Sequence, residues 1–159
     1  MPVLMIGRDR STRRALALGG AGDTALLGGS DAAFKVGLGS FLSGHVAWVT
    51  ALRARTTGHW REHPLVAASY LSAWAGLNAY LWRRTGRDRV PVLVYSSALL
   101  ATAFAALDTG DPVTALGGGL FLTSDALLAL HRFADVHLPF HEGIVMATYT
   151  TAQGLLAQT

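Results

Sequence analysis

Long stretches of this chain carry no charge, and their lengths sit near what a helix needs to cross a bilayer. Residues 64–82 form a run of nineteen without Asp, Glu, Lys or Arg; residues 90–107 form one of eighteen, and residues 36–52 and 143–159 form two of seventeen. A hydrocarbon core ~30 Å thick takes about 20 helical residues, within a range of roughly 17–25. Two more stretches fit if each keeps one acid, residues 13–29 with Asp23 and residues 112–131 with Asp125. The pattern predicts an all-α fold, a polytopic transmembrane helix bundle forming one domain over residues 1–159. Its six helices are expected near 13–29, 33–52, 64–82, 90–107, 112–131 and 143–158.

The intervening stretches read as loops. Gly28, Gly29, Ser30 and Asp31 break the first helix from the second. Residues 53–63 are polar and hand over to Pro64, which a first helical turn accepts because its missing N–H is not needed there. Residues 83–89 are basic around Gly86, residues 108–112 are a turn with a capping acid, and residues 134–142 hold Pro139. Trp48, Trp60, Tyr80 and Trp82 fall near segment ends, where interfacial aromatics collect. A soluble bundle would show a polar stripe every three to four residues. Residues 64–82 and 90–107 show only scattered Ser, Thr and Asn.

Composition strengthens this picture. Charged residues make up 14% of the chain against about 25% in soluble domains, and 51% of residues are hydrophobic. The absence of cysteine excludes disulfides and thiolate chemistry. The net charge of +3 sits in short clusters between apolar runs, which points to a lipid surface and away from nucleic acid. Seven cations fall on the side of the N-terminus and six on the other, so charge does not choose an orientation. Many of the eighteen glycines sit on expected helix faces, where small residues let helices approach closely. None follows a strand, so a dinucleotide fingerprint is unsupported, and no Gly-x-Ser-x-Gly elbow appears.

The candidate chemistry lies in polar groups at membrane depth, which are costly there and usually face a cavity or a partner. These are Asp23, His45, Asp125 and the pair Tyr149 and Gln153, four apart on one helix face. Asp23 and Asp125 each lie six residues before the expected end of a segment running the same way, ~9 Å inside one boundary. Register predicts one polar cavity that collects both acids with Tyr95, Tyr149, His45 and Gln153. Two carboxyls sharing a poorly hydrated cavity cannot easily ionise together, so one stays protonated while the other carries charge. Such a pair suits hydrolysis through an oxocarbenium-like cation, proton-coupled transport, or a purely structural contact between helices. His137, His141 and Glu142 have metal-ligand spacing only if helical, and Pro139 between them favours a loop.

Four blocks, in order, carry a family resemblance. Gly22-Asp23-Thr24-Ala25-Leu26-Leu27, Phe34 and residues 37–45 ending at Gly44-His45 resemble a G-D-x-x-L-L…F-x-x-G-x-x-x-F-x-x-G-H block. Residues 91–95 resemble P-V-x-x-Y; residues 118–129 with Arg132-Phe133 resemble G-x-x-L-F-x-x-S-D-x-x-L-A…R-F; and residues 149–153 resemble Y-x-x-A-Q. Together they are similar to the YhhN-like lysoplasmalogenase family of membrane proteins, over about residues 16–157. The resemblance implies an integral, multi-pass protein of the bacterial inner membrane that cleaves the vinyl ether bond of lysoplasmalogens. A lysophospholipid would be the substrate, and a fatty aldehyde with a glycerophospho-ethanolamine or -choline the products. It implies Asp23 and Asp125 as the catalytic pair, His45, Tyr95, Ser124, Tyr149 and Gln153 around the substrate, Arg132 near the lipid phosphate, and no metal or other cofactor. Family members have about eight helices. Here the opening Met1-Pro2-Val3-Leu4-Met5 resembles the tail of the second, with the first two expected to be missing.

Overall fold

The structure is a computed structural model and describes residues 9–158; the opening Met1 to Met5 segment lies outside the described residues. Among the described residues six α-helices follow one another: α1 (Arg10–Leu26), α2 (Asp31–Arg53), α3 (Pro64–Leu81), α4 (Arg89–Asp108), α5 (Pro112–Ala134) and α6 (His141–Leu156). Single turns of 3-10 helix interrupt two loops, at His59–Glu62 and Gly86–Asp88. The fold is all-α, a helix bundle.

Local chemistry sets the helix starts. Asp9 accepts the Thr12 N–H at 2.6 Å, which starts α1 at Arg10. Ser30 accepts the Ala33 N–H at 3.1 Å, and Asp111 accepts the Thr114 N–H at 3.0 Å just before Pro112. Each cap satisfies one of the orphan donors of a first turn. At the other end of α5, Asp135 takes a left-handed conformation (φ 54°) and returns its N–H toward Leu130. The helix ends therefore differ from those expected. The first helix starts and stops three residues earlier, and the fifth runs three residues further, through Arg132 and Phe133.

In the bundle α1 packs on α2, α2 on α4, α4 on α5 and α5 on α6. The ring closes where α6 meets α1. There Gly19 is held so near α6 that a Cβ would lie 2.6 Å from Gln153 Nε2 and 2.8 Å from the Tyr149 hydroxyl. Helix α3 stands outside the ring, against α4 and α5. Gly118 lets α5 approach α4 closely: a Cβ would come within 2.8 Å of Ala106 Cβ and 3.1 Å of Ala103 Cα.

The interior mixes polar side chains into an apolar core, and much of the outer surface is apolar. His45, Thr102, Thr114, Ser124 and Gln153 are buried, while Leu65 is 85% exposed and Val36, Val46, Leu116 and Met146 also face outward. Two helical stretches, Gly86–Asp108 and Pro112–Ala134, are long and apolar enough to cross a membrane by length and composition. Trp60, Tyr80 and Trp82 are exposed. Trp48 is not interfacial: it lies one turn after His45 on the same face of α2, turns into the ring and is buried with Leu16 and Leu52.

Candidate active site

Asp23 on α1 and Asp125 on α5 line one cavity of about 410 Å³. Their walls are Phe41 from α2, Tyr95 from α4, Ser124 and Leu128 from α5, and Val145, Met146 and Tyr149 from α6. The acids lie three and nine residues before the ends of their helices, not six each. They still share a cavity, because depth is set by how helices pack and not by where each one frays.

Each carboxylate has a tyrosine. The Tyr149 hydroxyl donates to Asp23 Oδ2 at 3.2 Å, and the Tyr95 hydroxyl donates to Asp125 Oδ2. The two rings are fixed differently. Tyr149 stands edge-on to Phe41 and Phe121, with ring centres 6.1 and 5.5 Å apart. Tyr95 meets the His45 ring at 5.4 Å. Ser124 lines the cavity, but its hydroxyl donates to the Val145 carbonyl at 3.1 Å and ties α5 to α6.

His45 does not line the cavity. It is buried behind Tyr95, with Nε2 3.4 Å from the Tyr95 oxygen and Nδ1 3.1 Å from the Thr102 hydroxyl. Thr102 lies seven residues after Tyr95, two turns along the same face of α4. That spacing was the available signal for a residue the sequence reading missed. The resulting chain, Asp125, Tyr95, His45, Thr102, has two internally consistent directions. With Asp125 ionised, Tyr95 donates to it, His45 Nε2–H donates to Tyr95, and Thr102 donates to a bare Nδ1. With a proton on Asp125 pointing at Tyr95, every bond reverses, and Thr102 donates instead to the Ala98 carbonyl 3.1 Å away.

Gln153 is also absent from the cavity wall. It is buried against Gly19, in a tightly filled space with Phe41, His45 and Phe121. Arg132 lies one turn beyond the cavity residue Leu128. Its guanidinium is 3.8 Å from Asp31 Oδ1 and 4.4 Å from the centre of the Phe34 ring. The expected single cavity thus takes in the two acids, Tyr95, Tyr149 and Ser124, and leaves His45, Gln153 and Arg132 in supporting positions.

Away from the acids, His131, His137 and His141 gather where α5 ends and α6 begins, with His131 stacked on His141 at 4.2 Å. Among the described residues, no group of three His, Asp or Glu side chains is arranged to hold a metal ion.

Two kinds of likeness bear on this arrangement. Proteins named lysoplasmalogenase from Mycobacterium bovis and Mycobacterium tuberculosis are each 36% identical to the chain over 107 residues. The match covers 64% of this chain and 41% of each relative, so the chain spans about two-fifths of the length of the relatives it matches. No solved structure matches. The YhhN family model matches residues 6–159, a stretch that contains both acids, both tyrosines and the buried histidine, and the chain belongs to the YhhN family.

Proposed function

We propose that the chain is a multi-pass membrane hydrolase that cleaves the vinyl ether bond of lysoplasmalogens, with Asp23 and Asp125 as its acid–base pair. The observation that carries this reading is that two carboxyls from α1 and α5 line one cavity, each receiving a tyrosine hydroxyl. The membrane part rests on buried polar and exposed apolar side chains, together with two helices of spanning length and composition. We read the six helices as one transmembrane domain, in the bacterial inner membrane as its mycobacterial relatives suggest.

The chemistry needs an acid and a base close together. Protonation of the vinyl ether β-carbon generates an oxocarbenium ion, water captures it, and the hemiacetal collapses to a fatty aldehyde and a glycerophospho-alcohol. A protonated carboxyl supplies the first proton, and an ionised one stabilises the cation and takes a proton from water. Tyr95 and Tyr149 hold one oxygen of each carboxyl, leaving the other to face the substrate. Arg132, one helical turn beyond the cavity residue Leu128, would meet the lipid phosphate.

Purified protein in detergent, given a lysoplasmalogen, should release aldehyde. The reading is wrong if Asp125→Asn keeps the full wild-type rate. Uptake into vesicles driven by a pH gradient, with no aldehyde formed, would replace it with a proton-coupled carrier.

A further inference from the structure

Asp125 and Tyr95 line a second cavity as well, of about 210 Å³, enclosed by α3, α4 and α5. Asp23 and Tyr149 line only the first. The Asp125–Tyr95 pair is therefore a wall common to two largely apolar compartments, of which only the first holds both acids.

The polar side chains of the second compartment are already engaged with one another. Trp74 Nε1 donates to Ser96 Oγ at 3.2 Å, Ser96 is 3.1 Å from Asn78 Oδ1, and the Asn78 amide donates to the Trp74 carbonyl at 2.8 Å. Thr123 donates to the Gly119 carbonyl at 2.9 Å. The remaining lining is Ala, Leu and Val: Leu81, Val92 and Leu99 are buried, and Ala73, Ala126 and Ala129 leave the space open. Such a compartment offers a phosphate or glycerol group little compensation for lost water, and it accepts hydrocarbon.

We infer that this second cavity receives the hydrocarbon chain of the substrate, with the ether oxygen and glycerophosphate on the Asp23 side, and that Asp125 is therefore the proton donor. The inference rests on the hydrolase reading above. It follows from the polarity of a vinyl ether. The carbon that takes the proton is the β-carbon, the first one further into the hydrocarbon chain. The cation develops on the carbon bonded to oxygen, one bond nearer the headgroup. Asp125, shared by both compartments, meets the first; Asp23, confined to the other compartment, meets the second and the incoming water.

Each step balances. The Asp125 proton bonds to the β-carbon as the alkene pair becomes the new C–H bond. Water oxygen bonds to the cationic carbon while one of its protons passes to Asp23. On collapse, the hemiacetal hydroxyl proton returns to Asp125, the bond to the glycerol oxygen breaks, and Asp23 protonates that oxygen. Both carboxyls end as they began. Tyr95 donates to Oδ2 of Asp125, which leaves Oδ1 to carry the transferable proton.

Two measurements test this together. Ala126→Leu and Ala129→Leu fill the second cavity without touching either acid. The ratio of kcat/KM for a long alkenyl chain over a short one should fall about tenfold, in line with what a few methylenes are worth in an apolar pocket; an unchanged ratio in active variants overturns the inference. A lysophospholipid with a diazirine at its chain end should label residues 73–81 or 92–99 of the wild-type protein. Label confined to α1 and α6, or no label, overturns the inference. Label in α3 from a protein that releases no aldehyde would leave the chain site standing and remove the hydrolase reading.

Discussion

Tyr149, on α6, places its hydroxyl 3.2 Å from Oδ2 of Asp23, on α1. The bond closes the ring of helices and leaves one face of the Asp23 carboxyl to the cavity. Removing it should disturb Asp23 while leaving the helices in place, because the Tyr149 ring packs on Phe41 and Phe121 through its edges. Tyr149→Phe is expected to lower kcat by about tenfold, the loss of one hydrogen bond to a charged group of roughly 1.5 kcal/mol. Thermal unfolding should change little. A fall in stability without a fall in kcat would show that the hydroxyl serves packing alone.

The acids themselves should matter more. Asp23→Asn and Asp125→Asn are each expected to lower kcat by about 10²–10⁴, the usual worth of a positioned acid or base. On the proposed mechanism the two act in one reaction, so the double variant should be little worse than the poorer single. Aldehyde release from wild type and the three variants in one detergent preparation checks both statements.

The buried chain from Asp125 to Thr102 has a spectroscopic signature. With Asp125 ionised, His45 should carry its proton on Nε2. Cutting the chain with Tyr95→Phe frees Thr102 for the Ala98 carbonyl and should move the proton to Nδ1. Nitrogen-15 shifts of the imidazole distinguish the two tautomers. The same tautomer in wild type and Tyr95→Phe would mean that Tyr95 does not couple the two groups.

Two glycines of similar sequence setting should respond in opposite ways. Gly118→Ala forces a methyl against Ala106 and the α4 backbone and is expected to cost about 1–3 kcal/mol. Gly20→Ala meets nothing within 4 Å and should stabilise α1 by up to about 1 kcal/mol, through its better helix propensity. Paired thermal melts decide it.

Asp111, at the start of α5, gives a pH-dependent contribution to stability. The Thr114 hydroxyl, 2.5 Å away, and the Thr114 N–H hold its carboxyl below the usual range. A depressed carboxylate stabilises the folded state above its unfolded value, ~3.9, and the contribution disappears as pH falls through the lower folded value. Asp111→Ala should cost about 1 kcal/mol at neutral pH, as lost caps do. The difference from wild type should vanish in strong acid.

The parts of this fold legible in the sequence are those written in runs and periods. Four charge-free stretches and two apolar ones with a single acid each give the six helices, and Ser30, Pro64 and Asp111 mark where three of them start. Asp23 and Asp125 stand out because an acid in an apolar run needs a reason. What periodicity does not carry is which face of each helix meets which neighbour. The depth of His45 and Gln153 is compatible with the cavity, yet their side chains turn into the packed interior behind Tyr95 and Tyr149. Trp48 has the position of an interfacial residue and the orientation of a core one. The compartment beside α3 is not legible in the sequence, since most of its walls are the same Ala, Leu and Val that fill every other helix.

The closure of α6 on α1 has a consequence for biosynthesis. Asp23 and Tyr149 are 126 residues apart. At roughly 5–20 residues per second, Asp23 waits about 6–25 s after its own synthesis before its partner exists. Throughout that interval the nascent chain holds an acid on α1 with one wall of its chamber unbuilt. The proposed site is therefore assembled only once α6 has been made, and a chain stalled before α6 carries Asp23 without the tyrosine that holds it.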